Sequence, residues 1–454
     1  MREASKASIR RYLEAGYWSE VFVGVGLDIG PGDDPCDREN PWKIAHLETF
    51  DFDRGDANFI RQHFDDESFD FIHSSHSLEH MRRHPWHCVQ DWACLLEVGG
   101  HLVITVPDYE MYEKKCWPSK SNPDHAWAFY TDTIDGQPWV LRMADIIPKL
   151  REAGMKVIHA KRLVAGWNPN DHSDQTFSFE AGVECAWEVL AVKESHIVVK
   201  TPISIRRQQA LGDTIAASAF YNHMAIRHDV TFQTSPAYIE YHQGIHAVCA
   251  DAGHVDLDLD NYDQENPDVP AYLLGFHLAK ILIPKNVMPK LFISTEEIEV
   301  VHGIKDEPYA IIDVSSVPLM SRSVRFDVHE VAEHLVAKGL DVKYLGIYSP
   351  RDFIKVIAGA SIVVGRDSGP IQLAQALGTP YVTVMSAVLP HTRYIPSDKA
   401  RMLSSSCPIQ EQGCYHRFWY FRDCPVPIDG VAPCGIIPKE IMLRAIDEVL
   451  QVCF

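Results

Sequence analysis

The sequence predicts an α/β protein made of three doubly wound units, one in front and a pair behind. Two observations predict it. Strand-length apolar runs recur along the chain, each followed by a small-residue turn and a helix-like segment. The alternation also breaks after Lys193 and then restarts. The chain has 454 residues, which at roughly 100–200 residues per domain is room for several cores.

In the front unit, VGLDIG (25–30), FDFIHSS (69–75), HLVITVP (101–107) and ECAWEVLAVK (184–193) read as strands of one sheet. LLEVGG (95–100) reads as a helix end stopped by glycines. TPISIRRQQALGDTIAASAF (201–220) then reads as strand, glycine turn and helix. YAIIDVSS (309–316), VKYLGI (342–347), ASIVVGRDSG (360–369) and YVTVMS (381–386) follow as buried strands, with VHEVAEHLVAKG (328–339) as a helix among them. The polar stretch ESHIVVK (194–200) marks one boundary and the segment near 290–300 a second. The expected division is therefore 1–194, 195–295 and 296–454.

Composition narrows the class. At 46% hydrophobic and 23% charged residues, the chain has the profile of a globular protein. No run approaches the ~20 apolar residues of a membrane span, and the N-terminus lacks the apolar core of a signal peptide. Eleven cysteines at irregular spacing read as reduced thiols, so a cytoplasmic location is expected. Lys and Arg number 42 against 62 Asp and Glu, a formal charge of −20. That argues against duplex nucleic acid, which is bound largely by phosphate neutralisation. Small anionic ligands held at helix N-termini remain open.

Three motifs carry chemistry. GLDIGPGDDP (26–35) is a strand ending in Asp28, then a turn with Gly30 and Gly32, whose missing Cβ atoms let a ligand approach the backbone. Pro35 argues against the dinucleotide fingerprint G-x-G-x-x-G. Asp51 or Asp53, at the next strand end, suits ribose hydroxyls. ALGDTIAA (210–217) places Asp213 at a helix start, where it reads either as an N-cap or as a functional carboxylate. VVGRDSGPIQLAQALGTP (363–380) runs a buried strand into Asp367, Ser368 and Gly369, opening a helix whose free N–H groups favour a diphosphate.

The front motifs resemble the class I S-adenosylmethionine-dependent methyltransferases of the type 11 kind. The resemblance covers about 20–194 and rests on LDIGPG, on GDA at 55–57, on SFDFIHSSHSLEHM (68–81) and on LLEVGGHLVITVPD (95–108). It implies a Rossmann-like fold with S-adenosylmethionine bound by Asp28, Gly30, Gly32, Asp51 (or Asp53), Asp56 and Ala57. Ser74 and His76 would face the methyl-transfer centre, with His76 as a base. Pro31 departs from the small residue usual between the glycines. His76 and His80 have metal-compatible spacing, but Glu79 and His80 match a Leu-Glu-His signature that is usually structural, so no metal is expected.

The rear motifs resemble the ADP-heptose–lipopolysaccharide heptosyltransferases. That resemblance spans about 201–450, through the Leu-Gly-Asp turn, LLGFHL (273–278), VSSVPLMSRSVRF (314–326) and the Asp-Ser-Gly-Pro helix start. It implies two facing Rossmann-like halves of a B-type glycosyltransferase, a nucleotide-diphosphate sugar as donor, and inversion, with Asp213 as the base that activates the acceptor hydroxyl. Gly212, Arg322, Asp367, Ser368, Gly369 and Gln372 would serve the donor. The family commonly has His where this chain has Gln372. Cys407, Cys414, Cys424 and Cys434 could bind zinc, but they form no C-x-x-C pair and their spacing is loose, so a zinc site there stays open.

Together these readings describe a transferase that joins glycosyl and methyl transfer on a glycan-type acceptor. Two others stay open: a modified nucleobase as acceptor, or one half acting as a binding scaffold. The sequence leaves the oligomeric state undefined.

Overall fold

The computed structural model describes the chain apart from residues 1–2, 15, 39–41, 172–174, 176–182, 243–245, 250–253, 261–265, 267, 295, 298–307, 315–323, 387, 408–423, 425–426, 430 and 454. It is a mixed α/β protein with largely parallel sheets. Its contacts divide it into two units. The first holds Met1–Ile203 with Arg227–Asp229 and Ala279–Leu282; the second holds the remainder. No helix among the described residues is long and apolar enough to cross a membrane.

The first unit contains β1 (Val23–Ile29), β2 (Lys43–Phe50), β3 (Phe69–Ser75), β4 (Leu96–Pro107), the short parallel pair β5 (Ala128–Tyr130) and β6 (Val140–Arg142), then β7 (Met155–Leu163) and β8 (Ala186–Lys193). Six of them form one sheet in the order β2-β1-β3-β4-β8-β7. Neighbours from β2 to β4 are parallel, and β8 runs antiparallel to both β4 and β7. One face of this sheet packs Leu27, Ile72 and Ile104 with Trp86, Val89 and Trp92 of the helix Pro85–Cys94.

Here the expected helix end at LLEVGG is corrected. The helix stops at Cys94, and Leu96 already belongs to β4. Phe69 pairs with Leu96 and Phe71 with His101, so Glu97–Gly100 bulge out of the ladder. Gly99 adopts φ 93°, and a Cβ on Gly100 would lie 2.9 Å from the Glu97 carbonyl oxygen. Glycines that stop a helix and glycines that build a bulge carry the same local signal.

Two further sheets lie mainly in the second unit. β9 (Thr201–Arg206), β10 (His228–Thr234), β11 (His246–Cys249) and β12 (Leu257–Asp258) are ordered β11-β10-β9-β12. β13 (Tyr309–Ile312), β14 (Asp341–Tyr344), β15 (Ile362–Arg366), β16 (Tyr381–Val384) and β17 (Ala400–Leu403) form an all-parallel sheet ordered β14-β13-β15-β16-β17. Its central strands β13, β15 and β16 are buried at every position because both faces are covered. Ile311 and Val363 meet Ile354, Ile371 and Ala374 on one face. Ala310, Ile312 and Val364 meet Leu335, Met442 and Ile446 on the other.

Candidate active sites

In the first unit, β1 ends at Ile29 and the chain turns through Gly30 and Gly32, at φ 67° and 55°. A Cβ on Gly30 would lie 2.2 Å from Ser77 Oγ, so only glycine fits there without rearrangement. Asp51, the residue after β2, accepts a hydrogen bond from the Gly32 N–H at 2.8 Å and fixes the turn. The loop borders a cavity of about 280 Å³, whose other wall includes Ser75, His76, Glu79 and His125.

The remaining predicted residues are placed as follows. Asp28 lines the cavity but is 1% exposed. Its Oδ1 is 2.8 Å from His73 Nδ1, and its Oδ2 accepts from the Cys36 N–H at 2.7 Å. His76 also lines the cavity, in the left-handed conformation at φ 57°. Ser74 is fully buried, and the wall is formed by its neighbour Ser75; successive strand residues point to opposite faces. Asp56 caps the turn Ala57–Gln62 by accepting from the Asn58 N–H at 2.9 Å, and it pairs with Arg82. Asp51, Asp56 and Ala57 are not among the residues lining this cavity, and Asp53 is exposed.

A buried polar chain runs beneath this site. Arg11, on the helix Glu3–Glu14, donates to Glu188 on β8 at 2.9 Å and to Thr105 on β4 at 3.1 Å. Its Nη1 also approaches His73 Nε2 at 3.3 Å. Burial alone would raise the carboxyl pKa of Glu188, but Arg11, His159 and Arg10 hold it far below the usual carboxylate range. Through His73 the chain ends on Asp28, at the foot of the glycine turn. Sequence reasoning missed Arg11 and Glu188, because the two meet across 177 residues of sequence.

Glu79, His80 and His125 are also gathered on the cavity wall. Glu79 is fully buried; among the described residues neither carboxylate oxygen has a partner at hydrogen-bond distance, and Oε1 lies 3.6 Å from His76 Nδ1 and 4.0 Å from His125 Nε2. Burial alone would raise its pKa, but His76, His80 and His125 hold it below the ordinary value.

In the second unit, the helices Leu211–Met224 and Gly369–Leu377 meet at their first turns. A Cβ on Gly212 would lie 3.1 Å from Gln372 Cγ, and one on Gly369 would lie 3.2 Å from Leu211 Cδ2. Gly212, Asp213, Ser368, Gly369 and Gln372 are thus brought together. The N-cap reading of Asp213 is corrected: Ala210 holds the cap position, and Gly212 and Asp213 sit inside the first turn. The Asp213 carboxylate instead faces Arg393 at 2.6 Å and Arg207 at 3.7 Å. Ser368 donates to Asp313 Oδ2 at 2.7 Å, and Asp367 accepts from the Tyr394 hydroxyl at 2.6 Å. Both bonds leave the N-terminal N–H groups of the helix Gly369–Leu377 uncapped by side chains. Arg393, Asp313 and Tyr394 carried no motif signal. Arg322 and Cys414 lie outside the described residues.

Comparison with known proteins supplies two family matches. Residues 14–159 match the methyltransferase domain family. Residues 322–418 match glycosyltransferase family 9, the heptosyltransferases. No curated protein matches the chain. Among solved structures, the iron-containing dodecameric glycosyltransferase TibC of enterotoxigenic E. coli H10407 is similar at 14% identity, over 56% of this chain and 78% of that one, with a TM-score of 0.44. A family 9 glycosyl transferase from Veillonella parvula DSM 2008 is 10% identical over 56% and 99%, with a TM-score of 0.42. A SAM-dependent methyltransferase from Archaeoglobus fulgidus is 15% identical over 42% and 95%, with a TM-score of 0.29.

Proposed function

We propose that this chain, a transferase that joins a methyltransferase domain to a family 9 glycosyltransferase domain, carries two activities. One moves a glycosyl group from a nucleotide-diphosphate sugar to a hydroxyl of a glycan-type acceptor. The other moves a methyl group from S-adenosylmethionine. The expected segments 1–194, 195–295 and 296–454 are the methyl-transfer, acceptor and donor parts of this reading.

The observation that carries the glycosyl reading is the meeting of two helix starts around Asp213. A helix N-terminus favours anionic phosphate through its free N–H groups and dipole. Gly212 and Gly369 let the two helix starts approach closely, against Gln372 and Leu211, and Arg393 adds a cation. In this reading Asp213 takes the acceptor hydroxyl proton as the oxygen attacks the anomeric carbon. The sugar–phosphate bond breaks on the opposite side, so the anomeric configuration inverts. Arg393, Arg322 and the N–H groups near Gly369 receive the departing diphosphate. Asp367, Ser368 and Gln372 complete the donor side of this reading.

The methyl reading rests on the fit of the glycine turn. Gly30 and Gly32 leave the backbone open beside a cavity, and Asp51 presets the turn. These residues would hold S-adenosylmethionine, with Asp56 and Ala57 on its adenine side, Asp28 near the end of its strand, and Ser75 in place of the buried Ser74 facing the cavity. The bound cofactor supplies an electrophilic sulfonium methyl group. His76 would accept the acceptor's proton from the cavity wall.

Thermal unfolding with S-adenosylhomocysteine and with a panel of nucleotide-sugars tests both halves. A ligand at 100 times its Kd adds about 2.7 kcal/mol. Stabilisation by both classes is expected, and silence to both would overturn the reading.

A further inference from the structure

We propose that Glu79, His80 and His125 form a binding site for one first-row divalent cation, with zinc the best match, on the wall of the cavity beside the glycine turn. The site stands whether or not this unit transfers methyl groups.

The first observation is the donor set. One ligand atom from each of the three residues lies within 4.8 Å of the others. Glu79 and His80 come from the 3-10 turn Leu78–His80, and His125 comes from a distant loop. That loop is fastened to the same turn: the Ala126 and Trp127 N–H groups donate to the Glu79 carbonyl at 2.8 and 3.1 Å. The three donors are therefore preset by backbone bonds.

The second observation is the state of Glu79. Its carboxylate is fully buried, and neither oxygen is hydrogen-bonded among the described residues. Its closest ring nitrogens are His76 Nδ1 at 3.6 Å and His125 Nε2 at 4.0 Å. Both are beyond hydrogen-bond distance. Buried carboxylates are ordinarily paired or bound to metal, because desolvating an uncompensated charge is costly. A shared tetrahedral ion with bonds of about 2.0–2.2 Å holds its donors about 3.4 Å apart, so Glu79 and His125 would close in slightly from 4.0 Å.

The third observation is the orientation of the imidazoles. His125 Nδ1 is 2.6 Å from Oε1 of Glu113, which is 2% exposed. His80 Nδ1 is 3.2 Å from the Asp124 carbonyl oxygen. Both partners accept, so each Nδ1 is the donor to its partner and each Nε2 is the ring nitrogen left to face an ion. Outer-sphere bonds of this kind orient metal-binding histidines. Two imidazoles and a carboxylate suit zinc and its neighbours rather than magnesium or calcium. The three residues line the cavity, so water or an oxygen of a ligand held there would complete the sphere. A second group, Asp28, Cys36 and His73, is already internally bonded and faces the Arg11 guanidinium, so it is not assigned an ion.

The test uses the full chain, stripped with chelator and titrated with zinc, with bound metal counted after desalting. One zinc per chain is expected. His125→Ala and Glu79→Gln should lower its affinity at least 100-fold. Glu113→Gln keeps all three ligands and should lower it about 10–100-fold, which preserves the test if a ligand variant fails to fold. Cobalt(II)-loaded protein should show ligand-field bands without thiolate-to-metal charge transfer. No tightly held zinc, an affinity indifferent to Glu79→Gln and Glu113→Gln, or a thiolate band would each overturn the proposal. Binding of S-adenosylhomocysteine, followed separately, reports on the methyl-transfer reading alone.

Discussion

Asp213 Oδ1 accepts a hydrogen bond from Arg393 Nη1 at 2.6 Å, across 180 residues of sequence. The contact sets a carboxylate and a guanidinium at the mouth of two helix N-termini. In the proposed reaction the two have opposite tasks, one receiving a proton and the other receiving negative charge. Asp213→Asn keeps the shape and removes the base. Glycosyl transfer should fall about 10²–10⁴-fold, while thermal stabilisation by the nucleotide-sugar persists. Equal loss of stabilisation and turnover would instead make Asp213 a donor-binding group.

Gly30→Ala places a methyl group against Ser77 Oγ at a positive φ. Strain of this kind costs about 1–3 kcal/mol, and the turn must shift to relieve the clash. Stabilisation by S-adenosylhomocysteine should disappear. Gly99→Ala, which has positive φ but meets nothing within 4 Å, provides the control and should retain it.

Glu188→Gln removes the anion that Arg11 and Arg10 share. Arg11 is fully buried and would be left without its charge partner, at a cost of about 3–5 kcal/mol. Chemical denaturation should show that loss near neutral pH. The folded-state pKa of Glu188 is depressed, so its contribution is present above the ordinary carboxyl pKa of 4.5 and is lost as pH falls below it. The gap between wild type and variant should narrow in acid.

His242 is 1% exposed, with Nδ1 2.8 Å from the Tyr221 hydroxyl, and burial pushes its pKa down to about 3. Unfolding restores an ordinary value near 6.5, so the unfolded chain binds the extra proton first. Stability from this group is complete above pH 6.5 and drains away as pH falls from there toward 3. His242→Gln should flatten the decline of unfolding temperature across that window. An unchanged slope would assign the acid sensitivity to other groups.

Most of the strands were legible as apolar runs, because parallel strands covered on both faces carry no polar alternation to confuse them. The β13 run Tyr309–Ile312 is buried at every position. Where local signals were ambiguous, tertiary pairing decided. Gly99 and Gly100 mimic a helix stop yet form a bulge, since β3 and β4 pair in register only with the extra residues set aside. Asp213 mimics an N-cap, yet the cap lies three residues earlier, at Ala210, and the Asp213 carboxylate is free for Arg393. The glycines of both sites were visible because they answer local backbone geometry. Arg393, Tyr394, Glu188 and His125 were not, since each gains its meaning from a partner distant in sequence.

The bond from Arg11 to Glu188 joins residues 177 positions apart. During synthesis the first helix must therefore wait for β8 before its guanidinium finds a counter-charge. At about 5–20 residues per second the delay is on the order of ten to thirty seconds. Throughout it the nascent sheet exposes the surface that Trp18, Val21 and Phe22 later cover beside Phe71 and Leu190. The front unit is thus a late closer on the ribosome, and its exposed interval is when a holding chaperone would have most to grip.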